Sequence, residues 1–121
     1  MKRTEKNDLV ERTSSFAASV RLFAKKFPQC SIAYSDVKQL VRSSGSVAAN
    51  YIEAQDASSR RDFAHKNRIS LREAKESCLW LHLLESTTPH GLQVERISLA
   101  KEANELAAIF TTLVKSATSA M

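Results

Sequence analysis

The sequence predicts an all-α protein, an antiparallel up-and-down four-helix bundle, on three observations. Only two glycines and two prolines occur in 121 residues, which leaves few places to turn. Breaks at Pro28, at residues 56–59 and at residues 89–91 divide the chain into four stretches. Within each stretch apolar residues recur at helical spacing, and the alternation of period two that marks a strand is absent. Four such helices with short joints bury their apolar stripes by folding back on one another.

The first helix is expected over residues 8–27. Leu9, Phe16, Val20, Phe23 and Phe27 share a face, and Asn7 or Asp8 is a suitable N-cap. The second is expected over 35–54, with Val37, Leu40, Val41, Ser44, Val47, Ala48, Tyr51 and Ile52 on its apolar side. Its centre, Arg42 to Ser46, reads locally as a linker, because glycine costs about 1 kcal/mol in a helix interior. A break there would leave two short pieces with poor caps. A continuous helix is therefore expected, its small residues letting a neighbour come close. The third helix spans 59–85, with Ser59 as N-cap, Asp62 at the capping-box position, and Leu71, Ala74, Cys78 and Leu81 as its core stripe. The fourth spans 92–117, where Leu99, Ala103, Leu106, Phe110, Leu113 and Ala117 follow steps of four and three. Residues 1–121 are expected to form one domain around one core.

No run approaches the roughly 18 apolar residues of a membrane span. The opening MKRTEKND has charge with no apolar run behind it, so no secretory signal is read and a cytoplasmic protein is expected. The formal net charge of +5 permits an anionic partner without demanding one. Cys30, Cys78 and the three histidines stand in no ligand spacing, so neither a metal site nor a cofactor is expected.

The end of the third helix is more apolar than a single stripe requires. Leu79, Trp80, Leu83 and Leu84 surround the core positions Cys78 and Leu81. A large apolar patch seldom faces water, so coverage by another copy of the chain is expected, with a loop or the termini as the alternative.

Further up the same helix, Arg61, His65, Arg68, Arg72 and Lys75 are spaced by four and three. That spacing puts them on one face about 20 Å long. Stacked like charges repel, and phosphates would relieve them, because arginine offers a planar fork and binding releases counterions. The competing expectation is that Asp62, Glu73, Glu76 or acids of a neighbouring helix neutralise the stripe. No aromatic residue interleaves with it, so stacking on single-stranded bases is not indicated. Arg42, Ser46, Asn50 and Glu53 share a side of the second helix, and an arginine–carboxylate network to Glu73 and Glu76 is expected between helices or between subunits. Signals for catalysis are thin. Arg60 and His65 match the Arg-x4-His spacing of small helical HEPN-type ribonucleases, which leaves a ribonuclease-like enzyme as an alternative. No Ser-His-acid order, phosphate loop or paired Glu-x-x-His is present.

Residues 39–54, with Gln39, Arg42, Ser46, Asn50, Glu53 and Ala54 at their places, resemble the second-helix signature of the bacterial 23S ribosomal RNA intervening-sequence family. Asp62-Phe63, then residues 69–76 and Trp80-Leu81, are similar to that family's third helix. Ala54 departs from the pattern, many members carrying glycine there. The resemblance implies a continuous second helix, an antiparallel four-helix bundle and a homopentameric ring. It implies a non-enzymatic nucleic-acid-binding or adaptor module. The partner would be RNA, DNA, or a protein such as the reverse transcriptase that the related retroelement accessory proteins work with. Arg42, Asn50, Glu53 and Glu76 match recurrent polar positions and are expected to hold helices or subunits in register. Arg61, Arg68, Arg72 and Lys75 are expected to contact phosphates, and Leu79, Trp80, Leu83 and Leu84 to form the oligomer interface. A purely structural assembly protein without ligand is the remaining reading.

Overall fold

A computed structural model describes the backbone of residues 5–119 and the side chains of residues 8–119. The chain runs through α1 (Glu5–Ala24), α2 (Tyr34–Ala54), α3 (Arg60–Leu83) and α4 (Gln93–Ser119). Two single 3₁₀ turns, Leu84–Ser86 and His90–Leu92, join α3 to α4. Each helix packs on the next and α1 also meets α4, which closes an antiparallel four-helix bundle.

Helix α1 begins earlier than expected, so Asp8 lies inside the helix rather than capping it. Its exit tightens into 3₁₀-type bonds, Lys26 N–H to the Phe23 carbonyl and Phe27 N–H to that of Ala24, both 3.1 Å. Pro28 follows, whose ring disfavours helical backbone in the residue before it. Phe27 nonetheless stays in the core, edge-on to Phe23 with ring centroids 5.0 Å apart.

Helix α2 continues unbroken through Gly45. The small residues do admit a neighbour, though on this side it is a side chain rather than a backbone. Arg21 of α1 lies across Gly45, donating from Nη1 to the Ala17 carbonyl at 2.9 Å and from Nη2 to the Val41 carbonyl at 3.3 Å. A Cβ on Gly45 would stand 2.8 Å from Arg21 Nη2. On the facing side α2 and α3 share a seam of small polar residues. The Oγ atoms of buried Ser43 and Ser77 are 2.8 Å apart, and Ser70 Oγ donates to the Val47 carbonyl at 2.9 Å. Ile52, expected on the apolar side, is exposed. The turn after α2 needs no glycine. Asp56 and Ala57 N–H groups reach the Glu53 and Ala54 carbonyls at 3.1 Å, with no left-handed residue.

At the start of α3, Ser59 Oγ accepts the Asp62 N–H at 3.1 Å, the N-cap read from the sequence. The buried face of α3 differs from the expected stripe. It runs through Ala64, Asn67, Ser70, Ala74, Ser77 and Leu81, while Leu71 and Cys78 sit at its edge. Ser70 and Ser77 face α2, while Cys78 lies on the α4 side, its Sγ donating to Asn104 Oδ1 at 3.3 Å. Buried Arg96 of α4 donates to the Leu81 carbonyl at 3.1 Å and to Gln93 Oε1 at 2.7 Å, satisfying a last-turn carbonyl of α3.

The core gathers Phe16, Val20, Phe23, Leu40, Leu106 and Phe110 from α1, α2 and α4, with Leu81 and Leu84 from the third helix and its exit. Tyr51 and Phe110 meet edge-on at 5.6 Å. Along the α1–α4 side, Arg12 grips Glu102 with two 2.8 Å bonds and Lys26 reaches Glu95 at 2.8 Å. No helix among the described residues is long and apolar enough to cross a membrane.

Candidate nucleic-acid interface

The outward face of α3 carries the expected stripe. Arg61, His65, Arg68, Arg72 and Lys75 are all exposed. Among the described residues, no carboxylate lies within ion-pair distance of the four stripe cations. Two of the acids expected to neutralise the stripe, Glu73 and Glu76, are occupied elsewhere. Glu73 Oε2 accepts from Arg42 Nη1 of α2 at 3.0 Å, and Glu76 Oε2 accepts from Arg42 Nη2 and, at 3.0 Å, from the indole Nε1 of Trp80. Arg42 also donates from Nε to Gln39 Oε1 at 3.3 Å.

This is the arginine–carboxylate network anticipated between the second and third helices, closed within one chain. The Trp80 N–H and then Arg42 hold the Glu76 carboxyl below its ordinary value, against the opposing effect of partial burial. The paired acids raise the Arg42 guanidinium in turn, against partial desolvation, which is its largest single influence. Asn50 does not join this network. Its Nδ2 donates to Ser46 O at 2.9 Å and Ser46 Oγ at 3.0 Å, inside α2. Glu53 pairs with Lys66 of α3 across an exposed 3.3 Å gap.

Beyond Lys75 the same face turns apolar, with Leu79 at 49% and Leu83 at 47% exposure. Leu84, expected at a subunit interface, is instead 0% exposed in the core of its own chain, because it falls three residues beyond buried Leu81 on the inward face of α3. Trp80 is half-buried against the core, with its indole nitrogen engaged by Glu76. The over-apolar helix end therefore divides into Leu84 and much of Trp80, covered by the fold, and Leu79 and Leu83, left outside. Leu83 shares an open depression with exposed Ile97, and Leu22 shares another with exposed Val94. Exposed apolar side chains thus run around the end of the bundle where α1 and α3 finish and α4 begins.

The ribonuclease-like pair is not brought together. Both residues lie on α3, five positions apart, and project about 140° from one another around its axis. Among the described residues no group of His, Cys, Asp or Glu could hold a metal ion. A depression of about 690 Å³ opens at the opposite end of the bundle between mostly apolar walls that include Leu9, Tyr51, Phe63 and Leu113. Buried Asn67 donates to the Phe63 carbonyl at 3.0 Å, and its Oδ1 has no partner among the described residues.

With this geometry in hand, comparisons with known proteins identify the lineage. The family model described as 23S rRNA-intervening sequence protein matches residues 5–112. The chain belongs to this family. A solved structure from Bacteroides thetaiotaomicron VPI-5482, described as a protein of unknown function from the S23 ribosomal protein family, is 30% identical. The match covers 88% of this chain and 97% of that one, with a TM-score of 0.70. No curated protein matches the chain. The family match includes α1, α2, α3 and most of α4, so the stripe, the Arg42 network and the exposed leucines all lie on the shared bundle.

Proposed function

We propose that this intervening-sequence family protein is a non-enzymatic, homo-oligomeric module that binds the phosphate backbone of nucleic acid through the outward face of α3. The observation that carries the reading is the stripe itself. Arg61, Arg68, Arg72 and Lys75 are exposed over about four turns of one helix, with no described carboxylate to neutralise them. Four aligned cations cost electrostatic free energy in isolation and are relieved by phosphates. The absence of aromatic side chains from the stripe favours backbone contact over base recognition.

Self-association rests on Leu79 and Leu83, which extend the stripe, on Ile97 beside Leu83, and on Val94 and Leu22 at the same end of the bundle. A ring, pentameric as the family resemblance implies, presents one stripe per subunit and gains affinity by multivalency.

Salt titration tests the reading. Affinity for a short fluorescein-labelled RNA falls steeply between about 50 and 200 mM salt if phosphate contacts carry it. Arg68→Glu combined with Arg72→Glu abolishes binding while the circular dichroism spectrum stays helical. A salt-independent affinity, or full binding by that variant, rejects the proposal.

A further inference from the structure

The stripe stays uncompensated for a reason that the α2–α3 seam supplies. On a helix, a residue four positions on lies beside its predecessor, so Glu76 is the local partner available to Arg72. Glu73, one residue from Arg72 and two from Lys75, lies on a different side of the helix. Left to itself, the Glu76 carboxylate would pair with Arg72 on the basic face. It does not, because Arg42 reaches across from α2 and engages Glu76 together with Glu73, while Trp80 holds Glu76 from the following turn.

We propose that Arg42 and Trp80 are positioning residues for the polyanion-binding face: they draw Glu76 off the α3 stripe and so keep Arg72 available to phosphate. The inference rests on the functional reading above for its ligand, but the electrostatic coupling it describes is a property of the bundle alone. The fork geometry matters. A guanidinium donates along two parallel directions and can serve two carboxylates at once, whereas a lysine ammonium is a single point charge on a flexible stem. The side chain of Glu73 is mostly buried and that of Glu76 two-thirds buried, so both have little freedom while Arg42 holds them. Arg42 itself, facing two acids, has little positive charge to offer a phosphate.

The test is a double-mutant cycle on full-length protein, read both as RNA affinity by fluorescence anisotropy and as the salt concentration that elutes each variant from heparin. Arg42→Gln in the wild-type background weakens RNA binding roughly tenfold, the loss of about one phosphate contact, and lowers the heparin elution point. In a Glu73→Gln/Glu76→Gln background the same change has less than about a twofold effect, since no carboxylates remain to be released. Arg42→Lys, which preserves charge, weakens binding in part, and Trp80→Phe, which alters no charge, weakens it only when Glu76 is present. Equal weakening by Arg42→Gln in both backgrounds would overturn the proposal, because Arg42 would then act by its own charge. Unchanged binding in Trp80→Phe and Arg42→Lys would overturn it as well. If wild-type protein binds no RNA but heparin elution follows the predicted cycle, the nucleic-acid reading fails and the positioning role stands.

Discussion

At the scale of single residues, the bundle is decided by how little space some positions take. Gly45 is helical with ordinary backbone angles, so its glycine is not required by conformation. What a Cβ would meet is the flexible tip of Arg21, which holds an exposed 3.3 Å bond that is easily given up. Gly45→Ala therefore gains most of the roughly 1 kcal/mol of helix propensity and raises the urea midpoint. Glu76 gives a pH signature. Its folded carboxyl lies below its ordinary 4.5, so the ionised form contributes stability above that pH, and the contribution is lost as pH falls through the lower folded value. Urea midpoints of wild type and Glu76→Gln should differ at neutral pH and converge below about pH 4.5; a constant difference would contradict the assigned partners. The two thiols separate by environment too. Burial pushes the Cys78 thiol up, and Cys30 is exposed, so iodoacetamide should label Cys30 first when followed by mass spectrometry.

At the scale of elements, helix count, order and approximate bounds were legible because Pro28 and Pro89 are strong punctuation, and the 56–59 cluster a softer break, in a chain with few turn formers. The Ser59 cap was legible for the same local reason, and Ser59→Ala should cost about 1 kcal/mol by urea unfolding. The inward face of α3 was not. Apolar periodicity pointed to Leu71 and Cys78, but the helix turns Ser70 and Ser77 toward α2. Close packing of small residues leaves no hydrophobic signal to count, and only the serine content of both helices hinted at it. Ser70→Val tests this seam. Val47's carbonyl keeps its place in the α2 ladder, so the lost side-chain bond matters less than the added volume between closely packed helices. An overpacking cost of about 1–3 kcal/mol is expected. A neutral result would mean that α2 and α3 separate more easily than their geometry suggests. Leu84, three residues beyond Leu81, continues the inward face of α3 by helical spacing, so its burial followed from the register of α3 rather than from its place in an apolar cluster. The stripe cations were legible individually, whereas their freedom from Glu76 required the position of Arg42 on a different helix.

At the scale of the whole molecule, the proposed function gives the two halves of the α3 face different work. The basic part would grip a polyanion weakly by itself, since four surface cations on one 13.5 kDa chain offer few phosphate contacts. The apolar part, Leu79 and Leu83 with Ile97 and Val94, lies at one end of the bundle and leaves the stripe clear. If this end joins subunits, assembly multiplies the stripes without covering them, and apparent affinity rises about 10²–10⁴-fold when the geometry lets several engage one strand. Leu79→Glu with Leu83→Glu separates the two functions, because both side chains are half-exposed and their replacement leaves the core intact. Light scattering should then report a folded particle of 13.5 kDa where wild type is several times larger. RNA affinity should fall with the lost avidity, and the salt slope should shrink to that of a single stripe. A variant that remains oligomeric would move the subunit contact away from the α3–α4 end. A monomeric variant that still binds as tightly as wild type would show that one stripe suffices and that assembly serves something other than the grip on phosphate.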